Sequence, residues 1–191
     1  MAEDYKQDIK EAVRVMREGG IILYPTDTIW GLGCDAANEE AVRKIYELKK
    51  RSDSKALLVL TDHVAKLERI VDEVPDVAYN LIEVAEKPLT IIYSGAKNLA
   101  KNLVAEDGSV GIRITKENFS KDLCPAFGRP IVSTSANISG QPSAQNFSEI
   151  TEEIKKGVDF IVKYRQTDLS KATPSSIIKL EKGGVVTIIR P

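Results

Sequence analysis

The sequence predicts a mixed-sheet α/β domain, and three observations support this. Short β-branched runs alternate with segments of helical period along the whole chain. Connections between several of these runs are too short for a pure βαβ rotation. The 191 residues, 42% hydrophobic and 29% charged, suit one ordinary core. No repeat, low-complexity tract or linker divides the chain, so residues 1–191 read as a single domain.

In order, Ile9, Ala12, Val13 and Met16 recur at helical spacing, and Gly19-Gly20 stops that helix. Ile21 to Tyr24 is a short buried strand halted by Pro25. A polar, glycine-bearing loop follows through Gly33. Asn38 reads as the N-cap of a second helix, with Glu39 and Glu40 complementing its dipole and Ala41, Val42, Ile45 and Leu48 as its apolar stripe. Residues 56–60 form a strand, 74–84 a helix, 89–93 and 110–114 two strands, and 117–127 a helix. Residues 130–134 are a strand, 147–156 a helix stopped by Gly157, and 160–162, 176–180 and 185–189 closing strands.

Composition excludes several function classes. Lys plus Arg is 27 against 28 Asp plus Glu, a formal charge of -1, so the surface as a whole does not attract nucleic acid or anionic lipid. Cys34 and Cys124 belong to no CxxC pair, which fits a reducing compartment and gives neither a disulfide framework nor a zinc site. The single histidine, His63, rules out a multi-histidine metal centre. The first nineteen residues lack the apolar core of a signal peptide, and no apolar run approaches membrane-spanning length. The expectation is a cytoplasmic protein that does not contact a membrane.

Chemistry is concentrated in three segments. Pro25 to Gly33 places small hydroxyls and glycines at a strand end, although Gly31-Leu32-Gly33 lacks the third glycine of a dinucleotide fingerprint. A turn chosen for its geometry accounts for it equally well. Lys49, Lys50, Arg51 and Lys55 follow the second helix. Cations there complement the helix dipole; to share a phosphate, Lys49 and Arg51 need the helix to end near Lys49. The third segment, Ser133-Thr134-Ser135-Ala136-Asn137-Ile138-Ser139-Gly140, has six Ser, Thr, Asn or Gly among eight residues behind an apolar strand, so its hydroxyls and amides can face an anion. Arg113 stands in an otherwise apolar strand, where it either faces solvent or binds a carboxylate in a cleft. Arg190 reads as a tail residue.

Together, these segments resemble the YrdC-like threonylcarbamoyl-adenylate synthase family, in order and spacing over nearly the whole chain. The matching stretches are 24–33, Leu48-Lys49-Lys50-Arg51, Pro88-Leu89-Thr90, Val110-Gly111-Ile112-Arg113, 133–140 and Ser175-Ser176-Ile177. The resemblance implies a twisted, mixed and largely antiparallel sheet flanked by helices, with a deep, positively charged cavity. It implies a nucleotidyltransferase that converts L-threonine, bicarbonate or CO2 and ATP into threonylcarbamoyl-AMP and pyrophosphate. The product would supply tRNA modification through a downstream threonylcarbamoyl-transferase machinery, with tRNA as a partner. Lys49, Arg51, Ser135 and Asn137 match the family's catalytic tetrad. ATP contacts would fall on Arg51, Lys55, Ser109, Ser135, Ser143 and Arg190, and threonine contacts on Thr28, Arg113, Ser133 and Ser176. No protein-bound metal is implied, and Mg²⁺ would ride on the substrate phosphates.

The sequence departs from the family pattern at Ser52 and Ala56, where proline is usual, at Lys55, often asparagine, at Leu60, histidine in some members, and at Ala85-Glu86-Lys87, which replaces Trp-Pro-Gly. Two other readings stand beside the synthase. One is a non-catalytic RNA-binding module using the same basic cavity. The other is a serine hydrolase pairing Ser135 with His63, which lacks a G-x-S-x-G elbow.

Overall fold

The computed structural model describes residues 5–51, 57–181 and 183–191. Its helices are Lys6–Arg17 (α1), Glu39–Leu48 (α2), Asp76–Val84 (α3), Asn118–Phe127 (α4) and Glu152–Lys156 (α5). Its strands are Ile22–Tyr24 (β1), Gly31–Gly33 (β2), Leu58–Thr61 (β3), Leu89–Tyr93 (β4), Val110–Ile114 (β5), Ile131–Ser135 (β6), Phe160–Ile161 (β7), Ser176–Leu180 (β8) and Val186–Arg190 (β9). They form one sheet in the order β7-β1-β2-β6-β3-β5-β4-β8-β9. The pairs β1–β7, β3–β5 and β4–β8 are parallel and the other five antiparallel, so the mixed, largely antiparallel sheet flanked by helices is present as expected.

Caps and turns set most element bounds. Asn38 Oδ1 accepts the Ala41 amide at 3.0 Å, as the sequence predicts. Glu117 is not the first helical residue but the N-cap of α4, its carboxylate accepting the Phe119 and Ser120 amides. The helix expected over 147–156 is broken. A 3-10 turn at Phe147–Glu149 is capped by Asn146, and Ile150 and Thr151 are extended before α5 begins. Two β-branched residues in succession favour that extended backbone.

A second correction concerns Gly31-Leu32-Gly33, expected as loop. These residues form β2, pairing antiparallel with β1 and β6. Glycine is needed here for close packing. A Cβ on Gly33 would lie 2.6 Å from Tyr24 Cε1 and 3.1 Å from the Val132 carbonyl, and Tyr24 is fully buried.

Strand register sorts residues into rows that cross the sheet, because paired residues share a face. One row, Val132–Val59–Ile112–Ile91, runs across β6, β3, β5 and β4 and is buried throughout. The neighbouring positions form rows on the other face, where Ser133 pairs with Leu58 and Leu58 with Gly111. Arg113 pairs with Thr90, Thr90 with Ile177, and Ile177 with Arg190. One sheet face is therefore apolar core, and the other carries hydroxyls and two arginines.

The end of α2 makes a sharp, defined turn. The Lys50 amide bonds to the Glu47 carbonyl and the Arg51 amide to the Tyr46 carbonyl, with Lys50 left-handed at φ 50°. This is a Schellman motif with lysine in the place that glycine usually takes. The helix therefore stops at Leu48, and the turn sends Lys49 and Arg51 out of helical phase. Lys49 is 1% exposed. Its ammonium donates to the Ser135 carbonyl and, at 2.7 Å, to the Asn137 carbonyl, while its own carbonyl accepts the Ser139 amide at 2.8 Å. Three hydrogen bonds thus fasten the end of α2 to the hydroxyl-rich segment behind β6.

The connection from β7 to β8 must cross nearly the whole sheet, since β7 is at one edge and β8 is next to the other. It is pinned along the way. Asp8 Oδ2 accepts the Lys163 and Tyr164 amides, and Arg165 donates to the Thr26 carbonyl and pairs with Asp168 and Glu117. The Ala172 amide reaches the Gln145 carbonyl.

Two outcomes test this packing. Gly33→Ala forces a methyl against the Tyr24 ring and lowers unfolding free energy by about 1–3 kcal/mol in denaturant titration. Burial and the neighbouring Arg51 pull the Lys49 pKa from 10.5 to about 8. Between those values the unfolded chain binds more protons than the folded one, so stability gained from this group rises with pH. Measured as wild type minus Lys49→Met, unfolding free energy therefore increases from pH 8 to 10, on top of a loss in the variant from two missing hydrogen bonds to part-buried carbonyls.

Candidate active site

The polar sheet face opens into a cavity of about 400 Å³, within the range of small-molecule sites. Its lining includes three arginines, Arg51, Arg113 and Arg190, and among the described residues no carboxylate. Arg113 and Arg190 lie in the same row three strands apart, about 14 Å at ordinary strand spacing. Gly111 keeps the floor between Leu58 and Ile92 shallow.

Most of the residues singled out from sequence meet here. Thr28, Arg51, Ser109 and Arg113 line the cavity, as do Ser133, Ser135, Ser143 and Arg190. Four do not. Lys55 lies outside the described residues, as do the departures at Ser52 and Ala56. Lys49 stands behind the wall because its ammonium is occupied by the two carbonyls, so it shapes the site without facing it. The Asn137 side-chain amide donates to the Ile138 and Gln141 carbonyls, bracing its own loop. Ser176 is turned away: along β8, Ile177 faces the cavity, so its neighbour must face the other side.

Sequence reasoning missed Ser175 and Thr90, and strand alternation was the signal that finds them. Thr90 shares a face with Ile92 on β4, and Ser175 precedes Ile177 by two. Both are buried, and their hydroxyls meet at 2.8 Å. The Ser175 carbonyl accepts two hydrogen bonds from the Arg190 guanidinium, at 2.9 and 2.7 Å. Arg190, a tail residue by its position and an ATP contact by the resemblance, is held in the cavity wall by a strand register and a forked contact.

The loop after β1 is braced from within. The Thr26 hydroxyl accepts the Thr28 amide at 3.1 Å and donates to the Ile29 carbonyl at 2.8 Å. This leaves Thr28 facing the cavity and Asp27 facing the opposite way, towards a small cleft beside Pro88 and Ile114. Asp27 Oδ1 lies 3.0 Å from Arg113 Nε, the side chains being 10% and 4% exposed. Burial raises the Asp27 carboxyl above its ordinary pKa, and the charge of Arg113 opposes that rise. On β1, Tyr24 is buried and its hydroxyl is held well above the usual tyrosine range by desolvation.

Such a wall is chemically suited to anions. Three guanidinium groups supply forked donors, and the serine and threonine hydroxyls supply neutral ones. His63 does not join them. It caps the 3-10 turn at Val64–Arg69, its Nδ1 accepting the Ala65 amide, and is absent from the cavity lining, so no hydrolase pair with Ser135 is assembled. Among the described residues, no three His, Cys, Asp or Glu side chains gather as a metal cage.

Comparison with known proteins bears on the family and the fold. The family model for Sua5, YciO and YrdC, described as telomere recombination, matches residues 14–191. The threonylcarbamoyl-AMP synthase of Pseudoalteromonas translucida is 32% identical over 181 residues, spanning 93% of this chain and 95% of that protein. A synthase of the same description from Pseudomonas aeruginosa is 35% identical over 152 residues, 79% of this chain and 82% of that one. Among solved structures, P. abyssi Sua5 complexed with L-threonine superposes with a TM-score of 0.85 at 27% identity, covering 97% of this chain. This chain spans 54% of the length of that protein. E. coli YciO superposes at 0.83 and 25% identity, over 96% of this chain and 88% of its own. On the match to 178 of its residues and these near full-length likenesses, the chain belongs to the Sua5/YciO/YrdC family.

Proposed function

We propose that this chain is a threonylcarbamoyl-AMP synthase, a nucleotidyltransferase that joins L-threonine, bicarbonate or CO2 and ATP into an acyl-adenylate for tRNA modification. The observation that carries the reading is the convergence of Arg51, Arg113 and Arg190 with Thr28, Ser109, Ser133, Ser135 and Ser143 on one cavity. The full-length relatives named for this activity supply the chemical identity.

The reaction needs what this wall offers. The threonine amine takes up CO2 as a carbamate, a carbamate oxygen attacks the α-phosphorus, and the bond to pyrophosphate breaks. Charge accumulates on phosphoryl oxygens, where Arg51, Arg190 and the hydroxyls of Ser135 and Ser143 stabilise it. Arg113 offers two parallel N–H donors to the threonine carboxylate, and Thr28 or Ser133 a polar partner to its hydroxyl. Lys49 and Asn137 act through the segment they brace, setting where Ser135 stands. Mg²⁺ would neutralise the triphosphate while held by the substrate's own oxygens, since the described residues of the cavity wall include no carboxylate to cage it. The protein is expected to work in the cytoplasm and to pass its product to the tRNA threonylcarbamoyl-transferase machinery. No described helix is long and apolar enough to cross a membrane.

Threonine-dependent pyrophosphate release from ATP, with labelled bicarbonate entering the nucleotide product, is the direct test. Its absence across a range of Mg²⁺ concentrations counts against the reading. Ser135→Ala lowers kcat by roughly 10²–10³-fold if the hydroxyl donates to the transition state. Arg113→Lys, which replaces a fork with a point charge, raises the threonine KM by about tenfold or more and leaves the ATP KM near its starting value.

A further inference from the structure

Asp27 is not accounted for by that mechanism. It lies in the same tight loop as Thr28 but faces away from the cavity, and it has no contact with the space where substrates would sit. What it does contact is Arg113, through the Nε edge at 3.0 Å. No other partner for the Arg113 guanidinium is found among the described residues, and Arg113 itself lines the cavity. The arginine thus has an anion on the side remote from the substrate and open space on the other.

An arginine on a half-open strand has several rotamers, and a carboxylate ligand is recognised well only when the planar fork is already aimed. Arg113 is on the interior strand β5, held by β3 on one side and β4 on the other, so its backbone is fixed. Its long side chain is not fixed by the strand. Asp27 supplies the missing restraint, and the loop that carries Asp27 is itself stiffened by the two hydrogen bonds of the Thr26 hydroxyl. The contact is not a fully formed hydrogen bond. Asp27 Oδ1 and Arg113 Nε are both buried without a well-directed partner, despite their 3.0 Å separation. Such a pair gains from a second anion on the outer fork, which draws the guanidinium into one orientation, as hydrogen bonds at sites of this kind tighten when the ligand arrives.

We propose that Asp27 is a positioning residue for the substrate carboxylate, holding the Nε edge of Arg113 so that its terminal N–H fork is presented to the cavity. This rests on the synthase reading above, in which Arg113 receives the carboxylate of threonine. It adds a specificity device: discrimination between an amino acid and its carboxamide analogue is set jointly by Arg113 and by the carboxylate behind it. If Asp27 served only to neutralise a buried cation, its loss would lower stability and weaken every ligand alike.

Direct binding to the full chain separates these cases, measured by titration calorimetry with L-threonine, L-threonine amide and ATP. Asp27→Asn weakens threonine about tenfold or more, leaves ATP within twofold, and narrows the preference for threonine over its amide. Combining Asp27→Ala with Arg113→Ala leaves threonine affinity no weaker than Arg113→Ala alone, because the two act as one unit. Asp27→Asn keeps the shape of the side chain and carries the test should Asp27→Ala fail to fold. Threonine binding unchanged in Asp27→Asn, losses that multiply in the double variant, or ATP affinity falling in parallel would each overturn the proposal. Wild-type protein that binds ATP but no threonine overturns the synthase reading and this one with it, whereas wild-type binding that survives Asp27→Asn overturns this one alone.

Discussion

The ammonium group of Lys49, buried beneath two carbonyl oxygens, joins parts of this chain that are far apart in sequence. It fastens the last turn of α2 to the segment behind β6, so the two polar stretches face a common space. Neither stretch is a site by itself. The helix end offers cations pointing in different directions until the left-handed turn at Lys50 breaks the helical phase. The serine-rich segment offers hydroxyls whose aim is arbitrary until its backbone is held. A buried lysine is an expensive way to make such a joint, since burial and Arg51 weaken its hold on its proton. It bridges two carbonyls at once, which makes the joint hard to replace.

The remainder of the site follows from sheet geometry. Side chains alternate across a strand and paired residues share a face, so placing Arg113 on the polar face also places Thr90, Ile177 and Arg190 there. The apolar row one position away fills the core. The same register thus sets both what is buried and what is offered to a ligand, and a one-residue slip in β4 or β8 would exchange the two.

How far the sequence could be read depended on the kind of interaction. Strands with strong β-branched pattern, such as 89–93 and 110–114, were legible to the residue because both their faces are constrained. Helix starts were legible where a side chain caps them, as at Asn38. Gly31-Leu32-Gly33 was not, because Gly33 permits close contact with Tyr24 and Val132, and close approach leaves no periodic signal. The composition of the site was legible through its motifs, while its orientation was not. Whether Lys49 faces a ligand or a carbonyl, and whether Ser175 or Ser176 faces inward, depends on partners more than 80 positions away. Asp27 was visible as a loop residue, but its contact with Arg113 exists only once β5 has paired.

The path from β7 to β8 limits how this architecture can vary. Fourteen residues lie between Ile161 and Ser176, and seven inter-strand steps separate their strands. At ordinary spacing that is roughly 34 Å of sheet, against a chain whose full stretch is about 46–50 Å. Asp8, Thr26 and Gln145 hold the crossing down along its course, so little slack remains. Insertions can bulge outward at small entropic cost. Losing several residues, in contrast, would drag Pro174 and Ser175 out of the cavity wall, making this stretch a ruler that fixes one wall of the pocket by its length.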